Sequence, residues 1–237
     1  MVALNIEYGI TSSEFENFIM NTRRAIIPVG SLEQHGDHLP VSTDSVIAEH
    51  IAKRTAQIVD CFVFPVISYG ISFEHKPLFN VSITHSTFIK MIHDILVSLA
   101  ENGLKRIIII NGHHGNNGAL QYIMHDLYRI VDENVQAYGI NYWHLLKNEF
   151  DHGGEVETSI MLAIEPTLVR MNKAKATSNK LSKSKIAYQS MTNNPGSFPK
   201  ITGNGIWGDP RNATAQKGHE FLEQAIKNLA NVIAELD

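Results

Sequence analysis

Arg106-Ile-Ile-Ile-Ile-Asn111 restricts the fold more than any other stretch of this chain. Successive side chains of a strand point to opposite faces, so four isoleucines in a row require apolar cover on both sides. A sheet with one solvated face cannot supply that, whereas a parallel sheet covered by helices does. The rest of the chain repeats the theme, with short β-branched runs alternating with longer amphipathic ones. Strands are expected over 25–30, 62–67 and 135–141, and helices over 44–59, 87–101, 116–131, 157–164 and from about Ala215 onward. The helix over 87–101 carries Phe88, Ile92, Ile95 and Leu99 at helical spacing, and the last helix carries Phe221, Ala225, Leu229 and Ile233.

One stretch, 172–212, breaks this alternation; it is rich in Asn, Ser, Lys, Gly and Pro, with Lys173, Lys175, Lys180, Lys183 and Lys185 close together. Such a stretch is either a solvated surface segment or a lid facing substrate. There is no internal repeat and no boundary, so one domain over 1–237 is expected.

Composition excludes several function classes. Twenty Lys and Arg against 24 Asp and Glu leave a formal charge of -4, the wrong sign for tracking a phosphate backbone, so no nucleic-acid partner is expected. The single cysteine, Cys61, rules out an internal disulfide and sits in an apolar run where a buried thiol is expected. The opening Met-Val-Ala-Leu-Asn-Ile-Glu-Tyr has neither a basic leader nor a continuous apolar stretch, and no window reaches the roughly 18 apolar residues of a spanning helix. A soluble cytoplasmic protein without membrane contact is the expectation.

Chemistry is concentrated in three clusters, each following a predicted strand, at the end of the sheet where parallel α/β folds build their sites. The first is Gly30-Ser-Leu-Glu33-Gln-His35-Gly-Asp37-His38-Leu-Pro40 with Thr43-Asp44. Glu33 and His35, two apart, share a face of an extended segment. With Asp44 they form a mixed oxygen and nitrogen donor set, which suits Zn²⁺, Mn²⁺ or Fe²⁺ better than Ca²⁺ or Mg²⁺. Asp44 is equally suited to charging a helix start. The second cluster, Asn111-Gly-His113-His114-Gly115-Asn116, adds His113 as a third ligand, while Asn116 is also a natural helix cap. It lacks the phosphate-loop signatures G-x-G-x-x-G and the Walker lysine. The third, Asp151-His152-Gly-Gly-Glu155-Val-Glu157, offers Glu157 as a further ligand and His152 as a general acid or base, although Glu155 and Glu157 also favour a helix N-terminus electrostatically.

Taken together, the clusters resemble the creatininase (creatinine amidohydrolase) family. The matching segments are Pro28-Val-Gly-Ser-Leu-Glu33-Gln-His35-Gly-Asp-His38-Leu-Pro with Thr43-Asp44, Asn111-Gly-His113-His114-Gly-Asn116, and His152-Gly-Gly-Glu155-Val-Glu157-Thr-Ser. Gly208-Asp209-Pro210, Ala213-Thr-Ala215 and Lys217-Gly218 extend the likeness toward the C-terminus. The resemblance implies a three-layer α/β/α sandwich with a mostly parallel sheet, two divalent metal ions per chain, and a homo-oligomer, creatininase itself being a hexamer. It places Glu33 and His113 on one metal, His35 on the other and Asp44 between them. In creatininase the remaining ligand is a glutamate two residues after the histidine matching His113. Gly115 stands there in this chain, which departs from the creatinine-specific arrangement; the resemblance leaves Glu157, or else Glu155, to complete the metal site. His152 is expected to protonate the leaving nitrogen with Glu155 orienting it, and His75 and His114 to face substrate. The segment Glu74-His75-Lys-Pro-Leu-Phe79-Asn80-Val-Ser82 matches the family less closely, because Asn80-Val81 replaces a Pro-Gly pair.

The implied activity is hydrolysis of a C–N amide bond in a small molecule by a water activated on a binuclear centre. The candidate substrates are cyclic amides such as creatinine and formamides such as a formamidopyrimidine nucleotide; peptide trimming also occurs in the family. A catalytically silent metal- or ligand-binding protein on the same scaffold is the alternative.

Overall fold

The structure, a computed structural model, describes residues 4–5, 9–126, 134–149, 151–179 and 195–236. Lys180, Lys183 and Lys185, and the end of the helix expected over 116–131, lie outside the described residues. The elements in chain order are β1 (Leu4–Asn5), α1 (Ser12–Ile19), β2 (Arg24–Val29), α2 (Thr43–Thr55), β3 (Phe62–Val63), α3 (His85–Glu101), β4 (Arg106–Asn111), α4 (Asn117–Asp126), β5 (Gln136–Asn141), α5 (Glu155–Ile164), α6 (Ser197–Thr202) and α7 (Ala215–Glu235).

All strand pairs are parallel, in the order β1-β3-β2-β4-β5. The isoleucine run divides between two cores as its alternation demands. Ile108 and Ile110, with Ile26 of β2, pack under α2, α5 and α7 through Ile47, Ile51, Ile160, Leu222 and Leu229. Ile107 and Ile109, with Ala25 and Ile27, pack under α3 and α4 through Phe88, Ile92, Leu96, Leu120 and Ile123. The expected α/β sandwich of three layers is therefore the observed one.

Local differences have local causes. The strand expected over 62–67 pairs continuously only at Phe62–Val63. Pro65 has no N–H to donate, and the chain regains the sheet at a single bridge between Ile67 and Val29. Helix α2 stops at Thr55, where the N–H groups of Ile58 and Val59 both return to the Thr55 carbonyl. Helix α1 was not expected; a capping box between Thr11 and Glu14 starts it.

From β2 the chain crosses to β3 on one side, and from β4 to β5 on the other. The carboxyl ends of β2 and β4 thus flank the topological switch point where open α/β sheets bind ligands. Two glycines let α2 settle on this edge: a Cβ on Gly30 would run into the Ser45 backbone and one on Gly112 into the Asp44 carbonyl. The first turn of α2, carrying Asp44, is thereby held directly above β2 and β4.

Candidate metal centre

Glu33, His35, Asp44, His75, His113, His152 and Glu157 converge at this switch point, none more than 5% exposed. Glu33 and His35 are carried by the loop after β2, which is held extended by backbone bonds from Gln34 N–H to Phe79 O (2.8 Å) and Val81 N–H to Leu32 O (2.8 Å). Gly36, at φ +70°, ends that segment, in a region of backbone space that favours glycine. His152 is fixed by two backbone bonds to Trp207 (2.9 and 2.8 Å), and Glu157 lies in the first turn of α5.

Asp44 does not cap its helix. Its Oδ1 lies 2.9 Å from His35 Nε2, which is itself 3.6 Å from Glu157 Oε2. Its Oδ2 lies 3.1 Å from His113 Nδ1, which is 3.2 Å from Glu33 Oε1. One carboxylate thus faces two donor pairs with its two oxygens. Both histidines have their far nitrogen on a backbone carbonyl: His35 Nδ1 on Glu33 O (3.1 Å) and His113 Nε2 on Ile71 O (2.7 Å). Such a bond places the proton on the far nitrogen and leaves a lone pair aimed inward, as metal-ligating histidines require.

Both oxygens of Glu33 and Oδ2 of Asp44 are buried without a hydrogen bond of proper geometry, although nitrogens stand close by. Four ligands at about 2.0–2.2 Å from a common ion are about 3.4 Å from one another, the spacing seen here. These donors fit a metal better than they fit each other. Overlapping trios within 4.8 Å are Glu33–His35–Asp44, Glu33–Glu74–His113, Glu33–His75–His152 and His35–His152–Glu157.

The electrostatics agree. Burial opposes charge on His35, yet Asp44 and Glu157 raise its pKa to about 10. Burial likewise opposes His113, and Glu33 with Asp44 raises it well above the ordinary imidazole range. Burial would push the Glu33 carboxyl up, but His113 and His75 hold it well below its usual value. Glu157 is pushed up to about 8 by burial, with His35 opposing and Asp151 adding to the rise. The carboxylates of this pocket favour positive charge on both rings, a field that suits a cation once each imidazole has given up its inward proton.

His152 behaves differently: burial, followed by the charges of His35 and His75, lowers its pKa well below the ordinary value. Its Nδ1 stands 3.6 Å from Glu33 Oε1. His75, which could have been a surface histidine, is buried with Nε2 3.2 Å from the same oxygen. His114 lies beside the cluster with its ring 5.9 Å from that of Trp143, and burial lowers it to about 4, followed by the charge of His113.

The structure does not bring Glu155 into the cluster. Its half-exposed carboxylate pairs with Lys217 at the start of α7, because Glu155 and Glu157, two apart on α5, cannot share a helix face. The acid next to His152 is Asp151, half-buried and accepting from Val156 N–H (2.7 Å) and Glu157 N–H (3.4 Å). Burial raises its carboxyl to about 7, with those two N–H groups opposing. Asn116 is likewise no helix cap: it ties Ile71 N–H (3.0 Å) to Gly30 O (3.1 Å) across the site.

Glu74 and Gln34 were also missed. Glu74 Oε1 lies 3.9 Å from His113 Nε2, and it occupies space beside Gly115, where any Cβ would also run into Ile71 O. Its position next to His75 was the available signal. The 172–212 stretch contributes to the wall: Phe198 of α6 packs on His75 and His152, with ring centroids 4.7 and 5.0 Å apart.

The family model for creatininase, described as creatinine amidohydrolase, matches residues 9–233. The chain is 25% identical to a creatinine amidohydrolase of Pseudomonas putida, over 89% of this chain and 88% of that one. It is 28% identical to a mycofactocin precursor peptide peptidase of Mycobacterium tuberculosis, over 88% and 84% of the two chains. A solved structure described as creatininase Mn superposes with a TM-score of 0.82 at 23% identity, covering 98% of each chain.

Proposed function

The chain belongs to the creatininase family, and from that premise we propose that it hydrolyses a non-peptide C–N amide bond, in a cyclic amide or a formamide. Its class is metal-dependent amidohydrolase. The observation that carries the reading is the placement of Asp44, one oxygen toward His35 and Glu157 and the other toward His113 and Glu33. Two divalent ions would be held there by Glu33 and His113 and by His35 and Glu157, with Asp44 within reach of both pairs. The mixed nitrogen and oxygen donors favour Zn²⁺, Mn²⁺ or Fe²⁺, and the manganese creatininase of like fold agrees with that range.

Divalent metal bound there would polarise the carbonyl and make water nucleophilic at neutral pH. The remaining steps belong to the protein. His152 is the group that moves the proton, because its site-facing Nδ1 is 3.6 Å from Glu33 while its ring is clamped between His35 and Phe198. It takes the proton from the attacking water and delivers it to the leaving nitrogen as the C–N bond breaks. Burial favours its neutral form, the form able to accept that proton. His75, with Nε2 near the Glu33 carboxylate, orients the substrate, and His114 lines the approach.

A cavity of about 170 Å³ is lined by Gln34, Asp37, Phe79, Lys173, Lys175 and Ile206 among others, and meets the cluster through Gln34, whose amide contacts His75 and His152. Phe79 in its wall supports a planar ring, and Lys173, beside the Lys175–Asp37 pair (3.6 Å), supports an anionic group. A formamidopyrimidine nucleotide offers both. The mycobacterial relative favours a second reading, cleavage of a peptide bond.

Elemental analysis paired with hydrolysis assays on creatinine, a formamidopyrimidine nucleotide and a short peptide tests the proposal. The expected result is about two divalent ions per chain with turnover of the formamide or the cyclic amide. Turnover of the peptide alone supports the second reading, and a chain that takes up no metal after reconstitution refutes both.

A further inference from the structure

Gln34 lies between two residues of the centre, yet its side chain turns toward neither. Its Oε1 accepts from Gly36 N–H (3.0 Å) and its Nε2 donates to Gly205 O (2.7 Å). One backbone donor and one backbone acceptor thereby assign the two ends of the amide, which cannot be exchanged without losing both bonds. Gly205 itself, at φ +76°, has no room for a Cβ against the Gln34 amide. The contact is built for close approach.

An amide nitrogen has two hydrogens. The first goes to Gly205 O, and the second has two ring nitrogens within reach: His75 Nδ1 at 2.9 Å and His152 Nε2 at 3.2 Å. His152 Nε2 also lies 2.9 Å from the backbone carbonyl oxygen of Gln34, which needs a donor. One assignment satisfies every group. The amide donates to His75 Nδ1, and His152 Nε2–H donates to Gln34 O. His75 then carries its proton on Nε2, on the side of Glu33 Oε1 (3.2 Å, without the angle of a hydrogen bond), and His152 presents a lone pair on Nδ1, 3.6 Å from that same oxygen. Neither ring is free to turn, because they pack 4.8 Å apart and both rest on Phe198.

We propose that Gln34 is a positioning residue that gives these two buried histidines opposite roles, His75 facing the reaction centre as a hydrogen-bond donor and His152 as an acceptor. Without that sorting, both rings could present the same kind of nitrogen to one carboxylate oxygen. With it, a proton acceptor for water and a donor for substrate stand side by side. The catalytic consequence rests on the amidohydrolase reading above, but the assignment of protons does not.

Long-range ¹H–¹⁵N correlation spectra of the zinc-loaded full chain read the protonation of each ring nitrogen directly. The wild type is expected to show Nδ1 unprotonated and Nε2 protonated on both His75 and His152. Gln34→Met removes the amide at similar volume. It should leave zinc content unchanged, lose the fixed pattern on His75, and lower kcat about 10- to 100-fold with little change in KM. Gln34→Glu keeps the bond from Gly36 N–H but replaces the donor with an acceptor, and should move the His75 proton to Nδ1. If Gln34→Met does not fold, this second variant decides. A wild-type His75 protonated on Nδ1, or a pattern unchanged in the folded variants, overturns the proposal. Absence of turnover in the wild type with the expected spectra counts against the amidohydrolase reading alone.

Discussion

The histidines of this cluster differ in what the near ring nitrogen faces, whereas the partner of the far nitrogen is a backbone carbonyl on His35, His113 and His152 alike. On His35 and His113 the near nitrogen faces Asp44, so both present lone pairs where a cation would sit. On His152 the near nitrogen lies 3.6 Å from Glu33 and does not face Asp44 within ion-pair distance, a placement that suits proton transfer. His152→Ala should therefore retain its metal, by elemental analysis, while kcat falls about 10²- to 10⁴-fold; unchanged turnover in a metal-replete variant would remove His152 from the mechanism. The metal-free pocket also predicts a pH dependence. With its pKa at about 10, His35 is protonated at neutral pH in the empty site, and that proton must leave before metal binds. Affinity should accordingly rise with pH between 6 and 8, by about tenfold per unit for each proton displaced. Titration calorimetry at several pH values, in buffers of different ionisation enthalpy, counts the protons, and a flat profile would contradict the assignment.

At the scale of the element, close approach matters more than helix propensity. Gly218 lies inside α7, where alanine would ordinarily be better by about 1 kcal/mol. Here a Cβ would run into the Ser159 carbonyl of α5. Gly218→Ala should therefore lower stability, by about 1–3 kcal/mol, in denaturant unfolding. A stabilised variant would mean that α5 and α7 can separate without loss. The same logic at Gly112 holds the first turn of α2 on the sheet edge, so element packing and ligand placement are one constraint. The glutamates of α5 illustrate its reach: Glu157 faces the centre, so helical geometry turns Glu155 away, to Lys217.

For the whole molecule, the buried carboxylates of Glu33, Asp44, Glu74 and Glu157 crowd the histidines around them, a cost that a bound cation would relieve. Chelation should lower the melting temperature and metal should restore it. A ligand at a hundredfold excess over its Kd contributes about 2.7 kcal/mol. Differential scanning fluorimetry checks this, and a melting temperature indifferent to chelator would argue against a metal held in the cluster. Among the described residues, no helix is long and apolar enough to cross a membrane.

The parallel sheet was legible because four consecutive isoleucines have one low-energy solution, burial between two helical layers. The positions of Glu33, His35, Asp44 and His113 were legible because each follows or faces the carboxyl end of a strand, and strand order alone brings those ends together. What the chain could not disclose as a string was the partner of each polar atom. Gln34 meets His152 across 118 residues, and Asp151 rather than Glu155 turns inward, to the backbone N–H groups at the start of α5. Glu74 enters beside His113 because Gly115 leaves room. These relations arise only when separate segments are pressed into the same water-free volume, where every donor and acceptor must find a partner. Local sequence specified which groups would be present, and tertiary burial decided which of them would share a proton or a metal.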